Sequence, residues 1–176
     1  MDLSADMWAD TVHLFVLLLP AMVANGSPVV GSKIYGRGTP IDGGRLLGDG
    51  KRILGDGKTY EGLVLGTVAG LVTGIIIGII SKKIKYYIYA GFLGGLGAML
   101  GDMIGSFIKR RLGIKRGQPA PLLDQLDFYI GALTLLYIAG YTVHLKAALL
   151  LAVIVALLHI STNALAYILG IKDRPW

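Results

Sequence analysis

The sequence predicts an all-α, polytopic membrane protein with five transmembrane helices, organised as one domain over residues 1–176. Three observations lead there. Mean hydropathy is +0.65 and 54% of the residues are hydrophobic, too apolar for an ordinary soluble domain. Uncharged runs recur that, at about 1.5 Å per residue, can cross a hydrocarbon core of about 30 Å. The cations, finally, gather on alternate connections rather than spreading evenly.

The first expected span covers residues 11–31. Its leading flank carries Asp2, Asp6 and Asp10 and no cation, whereas a cleaved secretory signal needs a basic start, so this run is a retained helix. Its Asn25-Gly26-Ser27-Pro28 segment predicts an interruption, which a membrane tolerates only where protein or a wet cavity satisfies the freed backbone. The second span, 62–81, has Gly62, Gly66, Gly70, Gly74 and Gly78 on one face, for close helix packing or for a groove holding a lipid chain. The third, 86–108, repeats that spacing at Gly97, Gly101 and Gly105 and carries Asp102. Pro119 and Pro121 precede a fourth span over 123–143, and the fifth covers 147–170.

Five spans put the termini on opposite sides. One side receives the loops 32–61 and 109–122 together with Lys172 and Arg174, which is thirteen of the seventeen cations. By the positive-inside rule the N-terminus is outside and the C-terminus cytoplasmic, in a plasma membrane, with the functional loops facing the cytoplasm. The pI of about 9.6 comes from those loops, which attract anionic headgroups or a nucleotide and require no nucleic acid. Without cysteine, disulfides and thiolate chemistry are excluded. Oligomeric state is not encoded in any pattern here.

The 32–61 loop is too long and glycine-rich for a simple connector. Leu47-Gly48-Asp49-Gly50-Lys51-Arg52 is echoed seven residues on by Leu54-Gly55-Asp56-Gly57-Lys58-Thr59, and Asp42-Gly43-Gly44-Arg45 repeats the theme. Glycine lets backbone N–H groups converge on an anion and the cations add charge, so Asp42, Asp49, Arg52, Gly55, Asp56, Gly57, Lys58 and Thr59 are candidates for nucleotide and phosphate binding. Gly57-Lys58-Thr59 is not the end of a phosphate loop of the NTPase kind, because Arg52 stands where its first glycine belongs.

The densest chemistry lies between Gly101 and Asp127. Asp102, Ser106 and Arg110 are four apart on one helical face, with Lys109 beside them; Asp124 and Asp127 share a face on the next helix. A carboxylate at membrane depth needs a reason to be there. Asp102, Asp124 and Asp127 therefore form a candidate metal site, of the hard-oxygen type that Mg²⁺ shares with substrate phosphates. Lys109 and Lys115 join them as candidate catalytic residues. Structural salt bridges are the competing account. His159 and Asn163, four apart in the fifth span, are possible supporting residues. There is no Ser-His-Asp arrangement, no HExxH motif, and no duplication of halves of the kind transporters show. What remains is metal-assisted phosphoryl or nucleotidyl transfer.

Residues Ser106, Lys109, Arg110 and Lys115, closed by Asp124 and Asp127, resemble the signature of the phosphatidate cytidylyltransferase family. Arg116 and Gln125 depart from that signature, and its His-Gly-Gly element is missing. The blocks Asn25-Gly-Ser-Pro28, Pro40-Ile-Asp-Gly-Gly44, Ile53-Leu-Gly-Asp-Gly-Lys-Thr59 and Gly101–Asp127 resemble the archaeal branch, the CDP-archaeol synthases. The resemblance implies Mg²⁺-dependent transfer of CMP from CTP to an isoprenoid ether-lipid phosphate, with Asn25 and Pro28 added to the nucleotide-binding set. A bacterial-type enzyme acting on ester lipids is the nearest alternative, and a small transporter using Asp102, His159 and Asn163 is a further one.

Overall fold

The computed structural model describes residues 3–171; Asp2, Lys172 and Arg174 lie outside them. Five helices follow one another: α1 (Leu3–Tyr35), α2 (Tyr60–Ile80), α3 (Ile84–Arg111), α4 (Leu123–Ile138) and α5 (Leu145–Ile168). Among the described residues there are no strands, only isolated bridges within the α1–α2 loop. Four of the helices, α1, α2, α3 and α5, are long and apolar enough to cross a membrane.

α4 falls short of the expected 123–143 span. It has 16 residues, about 24 Å at about 1.5 Å per residue. The apolar run continues, but Gly140 adopts φ +87, and the Tyr141 N–H closes back on the Leu136 carbonyl at 3.0 Å, a turn that ends the helix. At its other end Leu122 sits at φ 66, so the helix starts abruptly after Pro121.

The expected break at Asn25–Pro28 does not occur. α1 runs through Pro20 and Pro28 for 33 residues. Pro28 has no N–H for the Ala24 carbonyl. That carbonyl instead meets α2, where a Cβ placed on Gly66 would lie 3.0 Å from it. A neighbouring backbone thus covers the orphaned acceptor through a Cα–H contact. The Ser27 hydroxyl donates to the Val23 carbonyl at 2.6 Å, tightening the same turn.

The glycine stripe of α2 is a packing seam. A Cβ on Gly70 would lie 2.7 Å from the Gly95 Cα, one on Gly74 2.7 Å from the Gly91 Cα, and one on Gly78 3.4 Å from the Tyr87 Cβ. The backbone of α3 fills the groove, which leaves no space there for a lipid chain. α3 has a second seam against α4: a Cβ on Gly97 would be 2.8 Å from the Ala132 Cα, on Gly101 3.0 Å from the Gly131 Cα, and on Gly105 2.8 Å from the Asp127 Cβ. Small residues let the backbones approach, the usual basis of helix association in lipid. This antiparallel register brings Asp127 level with Gly105. The apolar core gathers Leu14, Leu17 and Leu18 of α1 with Leu136 of α4 and Leu151 and Val155 of α5.

Candidate active site at the loop end of the bundle

The chain direction of each helix places the α1–α2 loop, the end of α3 and the start of α4 at one end of the bundle. The loop there is folded. Ile41 N–H donates to the Lys58 carbonyl at 2.8 Å, Tyr60 N–H to Thr39 at 3.1 Å and Ile53 N–H to Arg45 at 3.1 Å. Asp42 is the hub: its carboxylate accepts from Gly44 N–H at 3.1 Å, Leu54 and Gly55 N–H at 2.9 Å each, and from Arg52 Nη2 at 2.6 Å. Gly55 reaches it with φ +97, a conformation a side chain would strain. The Arg52 guanidinium and the three N–H donors hold the Asp42 carboxyl far below the usual carboxylate range, against its burial; the same partner holds the Arg52 charge more firmly than usual.

The two echoed acids perform parallel tasks. Asp49 accepts from Lys51 N–H at 3.1 Å and from Arg111 Nη1 at 2.6 Å. Asp56 pairs with Arg52 at 2.7 Å and lies 3.9 Å from Arg116. Each repeat therefore ties the loop to the end of α3 or to the turn after it. Lys51 Nζ donates to the Arg111 carbonyl at 3.0 Å, and Arg111 donates back to the Lys51 and Arg52 carbonyls. Hydrogen bonding to Lys51 N–H and the Arg111 guanidinium lower the Asp49 carboxyl below its ordinary value. Asp42, Asp49 and Asp56, expected among the nucleotide contacts, are thus engaged in building the loop.

Lys58 and Asp102 form an ion pair within a cleft of roughly 270 Å³, lined also by Pro28, Gly57, Thr59 and Met103. Thr59 Oγ1 accepts from Gly62 N–H at 3.1 Å, capping α2, so the cleft opens at a helix N-terminus where amides favour anions. Nearer the loop end of the α3–α4 seam, Lys109 pairs with Asp124 at 2.6 Å, and the second oxygen of Asp124 accepts from Ala120 N–H at 2.7 Å. Asp127 is buried, as is Ser106. Among the charges acting on Asp127 are Asp102, Lys109 and Lys58. The Arg110 guanidinium faces Gly55, whose Cβ position lies 3.9 Å from Nη1, and the Arg110 Nε is buried with no hydrogen-bond partner among the described residues. Lys115 stands exposed in the turn before α4.

The three carboxylates expected to share a metal do not close into one cage. Among the described residues no group of three or more acidic, histidine or cysteine side chains converges. Asp124 is committed to Lys109 and to the Ala120 amide. Asp102 and Asp127 remain as neighbours, with only glycine beneath Asp127 at position 105, where a Cβ would lie 2.9 Å from its Cγ. Two carboxylates, Asp102 on the cleft and Asp127 buried behind it, suit a hard divalent ion that takes the rest of its shell from water and substrate phosphate.

Asn25, His159 and Asn163 line a different cavity, about 440 Å³, between α1, α4 and α5. Asn25 and Pro28 lie one turn apart on α1, so that helix borders both spaces. Sequence reasoning missed Arg111 as the staple of the loop, and Glu61, which accepts from Thr39 N–H at 2.7 Å and Thr39 Oγ1 at 2.8 Å. Arg111 belonged to a visible basic cluster, but its partners are about sixty residues away. An acid in the first turn of α2 was the signal for Glu61.

Comparison with known proteins adds an independent observation. A family model described as CarS-like, CDP-archaeol synthase, matches residues 9–176. The CDP-archaeol synthase of Aeropyrum pernix is 47% identical over 100% of this chain and 99% of its own. That of Hyperthermus butylicus is 52% identical over 90% of this chain and 92% of its own. A solved structure described as an intramembrane enzyme for archaeal membrane lipids biosynthesis superposes with a TM-score of 0.79 at 48% identity, covering 86% of this chain and 93% of that one.

Proposed function

The chain belongs to the CDP-archaeol synthase family, and from that premise we propose that it transfers CMP from CTP to an archaeal ether-lipid phosphate, 2,3-bis-O-geranylgeranylglycerol 1-phosphate, releasing pyrophosphate. It is an enzyme, a nucleotidyltransferase of archaeal membrane lipid biosynthesis, and a multi-pass membrane protein. The finer reading adds α4 as a fifth crossing, ended early by the turn at Gly140, with the N-terminus outside and the site at the cytoplasmic surface. The thirteen cations on the loop side support that orientation.

The observation that carries the chemistry is the Lys58–Asp102 pair in a cleft beside the N-terminus of α2, with Asp127 near enough to Asp102 to feel its charge and Arg110 against Gly55 of the same loop. A lipid phosphate oxygen attacks the α-phosphorus of CTP; a new P–O bond forms, the bond to the β-phosphate breaks, and pyrophosphate leaves with the electron pair. The nucleophile is already anionic near neutral pH, so no strong general base is required. The barrier is repulsion between two anions. Lys58, Arg110 and Lys115 clamp phosphates, and Asp124 orients Lys109 toward them. The N-terminus of α2, with the positive end of its helix dipole, borders the same space. Asp102 and Asp127 would hold Mg²⁺, which supplies charge neutralisation on the triphosphate when bound. Catalysis is then positioning and electrostatic stabilisation.

The test is incubation of the purified protein with labelled CTP, Mg²⁺ and a panel of ether- and ester-linked lipid phosphates. A CDP-lipid and pyrophosphate formed from the ether-linked isoprenoid substrate are the expected products. Preference for ester-linked phosphatidate points to the bacterial-type specificity, and no CDP-lipid with any acceptor refutes the reading.

A further inference from the structure

Asp102 meets a cation from its own chain, the Lys58 ammonium. The pair is partly buried, with side-chain exposures of 20% for Lys58 and 26% for Asp102. The backbone of Lys58 is fixed on both sides: its N–H donates to the Gly55 carbonyl at 3.2 Å, and its carbonyl accepts from Ile41 N–H at 2.8 Å. The following residue caps α2. Only the side chain is free to move, and it swings within the cleft that Asp102 also lines. Asp127 lies within the influence of both charges.

A divalent ion entering at Asp102 must therefore displace an ammonium already there. Once displaced, that ammonium is confined to a partly buried cleft and needs a new anionic partner within the reach of its tether. The loop acids do not provide one, because Asp42, Asp49 and Asp56 are held by Arg52, Arg111 and Arg116. A triphosphate does.

Resting on the cytidylyltransferase reading, we propose that Lys58 is a placeholder that makes metal entry depend on nucleotide: the ammonium holds Asp102 until a triphosphate draws it away. The metal and the nucleotide then load together, and the empty enzyme does not keep a divalent ion. Lys58 acts on the metal as a positioning residue and contacts the nucleotide directly only after the exchange.

The experiment measures retention of Mn²⁺ on detergent-solubilised protein by the loss of the free-ion paramagnetic resonance signal. It is run with and without a non-hydrolysable CTP analogue, against a protein-free control containing the same analogue. Wild type is expected to bind Mn²⁺ weakly alone and tightly with the analogue. Lys58→Gln should bind Mn²⁺ without nucleotide at least about tenfold more tightly than wild type, the order expected for removing a close charge. Lys58→Arg, which keeps the charge, should restore weak binding. Circular dichroism checks that the variants keep their helices. If wild type takes up Mn²⁺ with the analogue but Lys58→Gln gains nothing in its absence, the placeholder idea is overturned and the cytidylyltransferase reading stands. If no form retains Mn²⁺ even with the analogue, the metal assignment itself fails and takes the placeholder with it.

Discussion

Asp42 and Asp127 are both buried acids, and the structure gives them opposite tasks. Asp42 has its side chain 1% exposed and is surrounded by donors from its own loop. Because its native pKa is depressed, its stabilising contribution is complete above the ordinary aspartate value of 3.8 and is lost only as pH falls through the lower native value. Asp42→Ala should therefore open the loop at neutral pH, read as rapid tryptic cleavage at Arg45 and Lys51, which wild type resists at the same pH. Asp127 is buried against a glycine on α3, its Oδ1 accepting from the Phe128 N–H at 2.7 Å. Asp127→Asn is nearly isosteric, so the protein should fold and unfold normally while turnover drops by about 10²–10³. Near-wild-type turnover would remove Asp127 from the metal site.

Such a division of labour is only half written in the sequence. The acid–glycine–cation echo announced that the loop matters, and the Asp102–Asp127 spacing announced a polar site at depth. Which acids are spent on structure depends on partners far along the chain, such as Arg111 for Asp49, 62 residues away. Spacing on a single element carries no information about those.

At the scale of helices, glycine is the informative residue, and its surroundings differ sharply between positions. A Cβ on Gly74 would sit 2.7 Å from the Gly91 Cα, with backbone atoms that cannot step aside, whereas nothing lies within 4 Å of the Cβ position on Gly26. Gly74→Ala should destabilise the bundle by about 1–3 kcal/mol. Gly26→Ala should be neutral, or stabilise by about 0.5–1 kcal/mol through helix propensity. Thermal unfolding in one detergent compares the two. The four-residue glycine spacing made close packing legible. It did not reveal that α3 uses Gly91 and Gly95 toward α2 and Gly97, Gly101 and Gly105 toward α4, because a periodicity does not name its partner. The expected break at Pro28 failed for the same reason. A proline disrupts a helix through its orphaned carbonyl, and here a glycine on another helix covers that carbonyl.

For the molecule as a whole, the end that carries the loop also carries most of the charge, while the opposite end is closed by Tyr86 and its neighbours, with Tyr141 donating to the Tyr86 carbonyl at 2.8 Å and His144 lying 3.7 Å from Asp10. The chain has no cysteine, so single cysteines report sidedness without background. In sealed vesicles of known orientation, Leu112→Cys should react with an impermeant maleimide only from the cytoplasmic side and Lys83→Cys only from the other. Equal access to both from one side would overturn the topology. Overall architecture was legible because long uncharged runs have few alternatives in a bilayer. The extent of α4 was not, since its apolar run continues past the turn at Gly140.

The two seams of α3 leave that helix one unclaimed flank, the outward row that includes Tyr89, Phe92, Leu100 and Ile104. Substitution along that row can track the thickness and fluidity of whatever lipid surrounds the protein, while Asp102 and Lys109 on the same rod stay clamped from two directions. Adaptation to a new membrane and preservation of the reaction are thereby written on separate sides of a single helix.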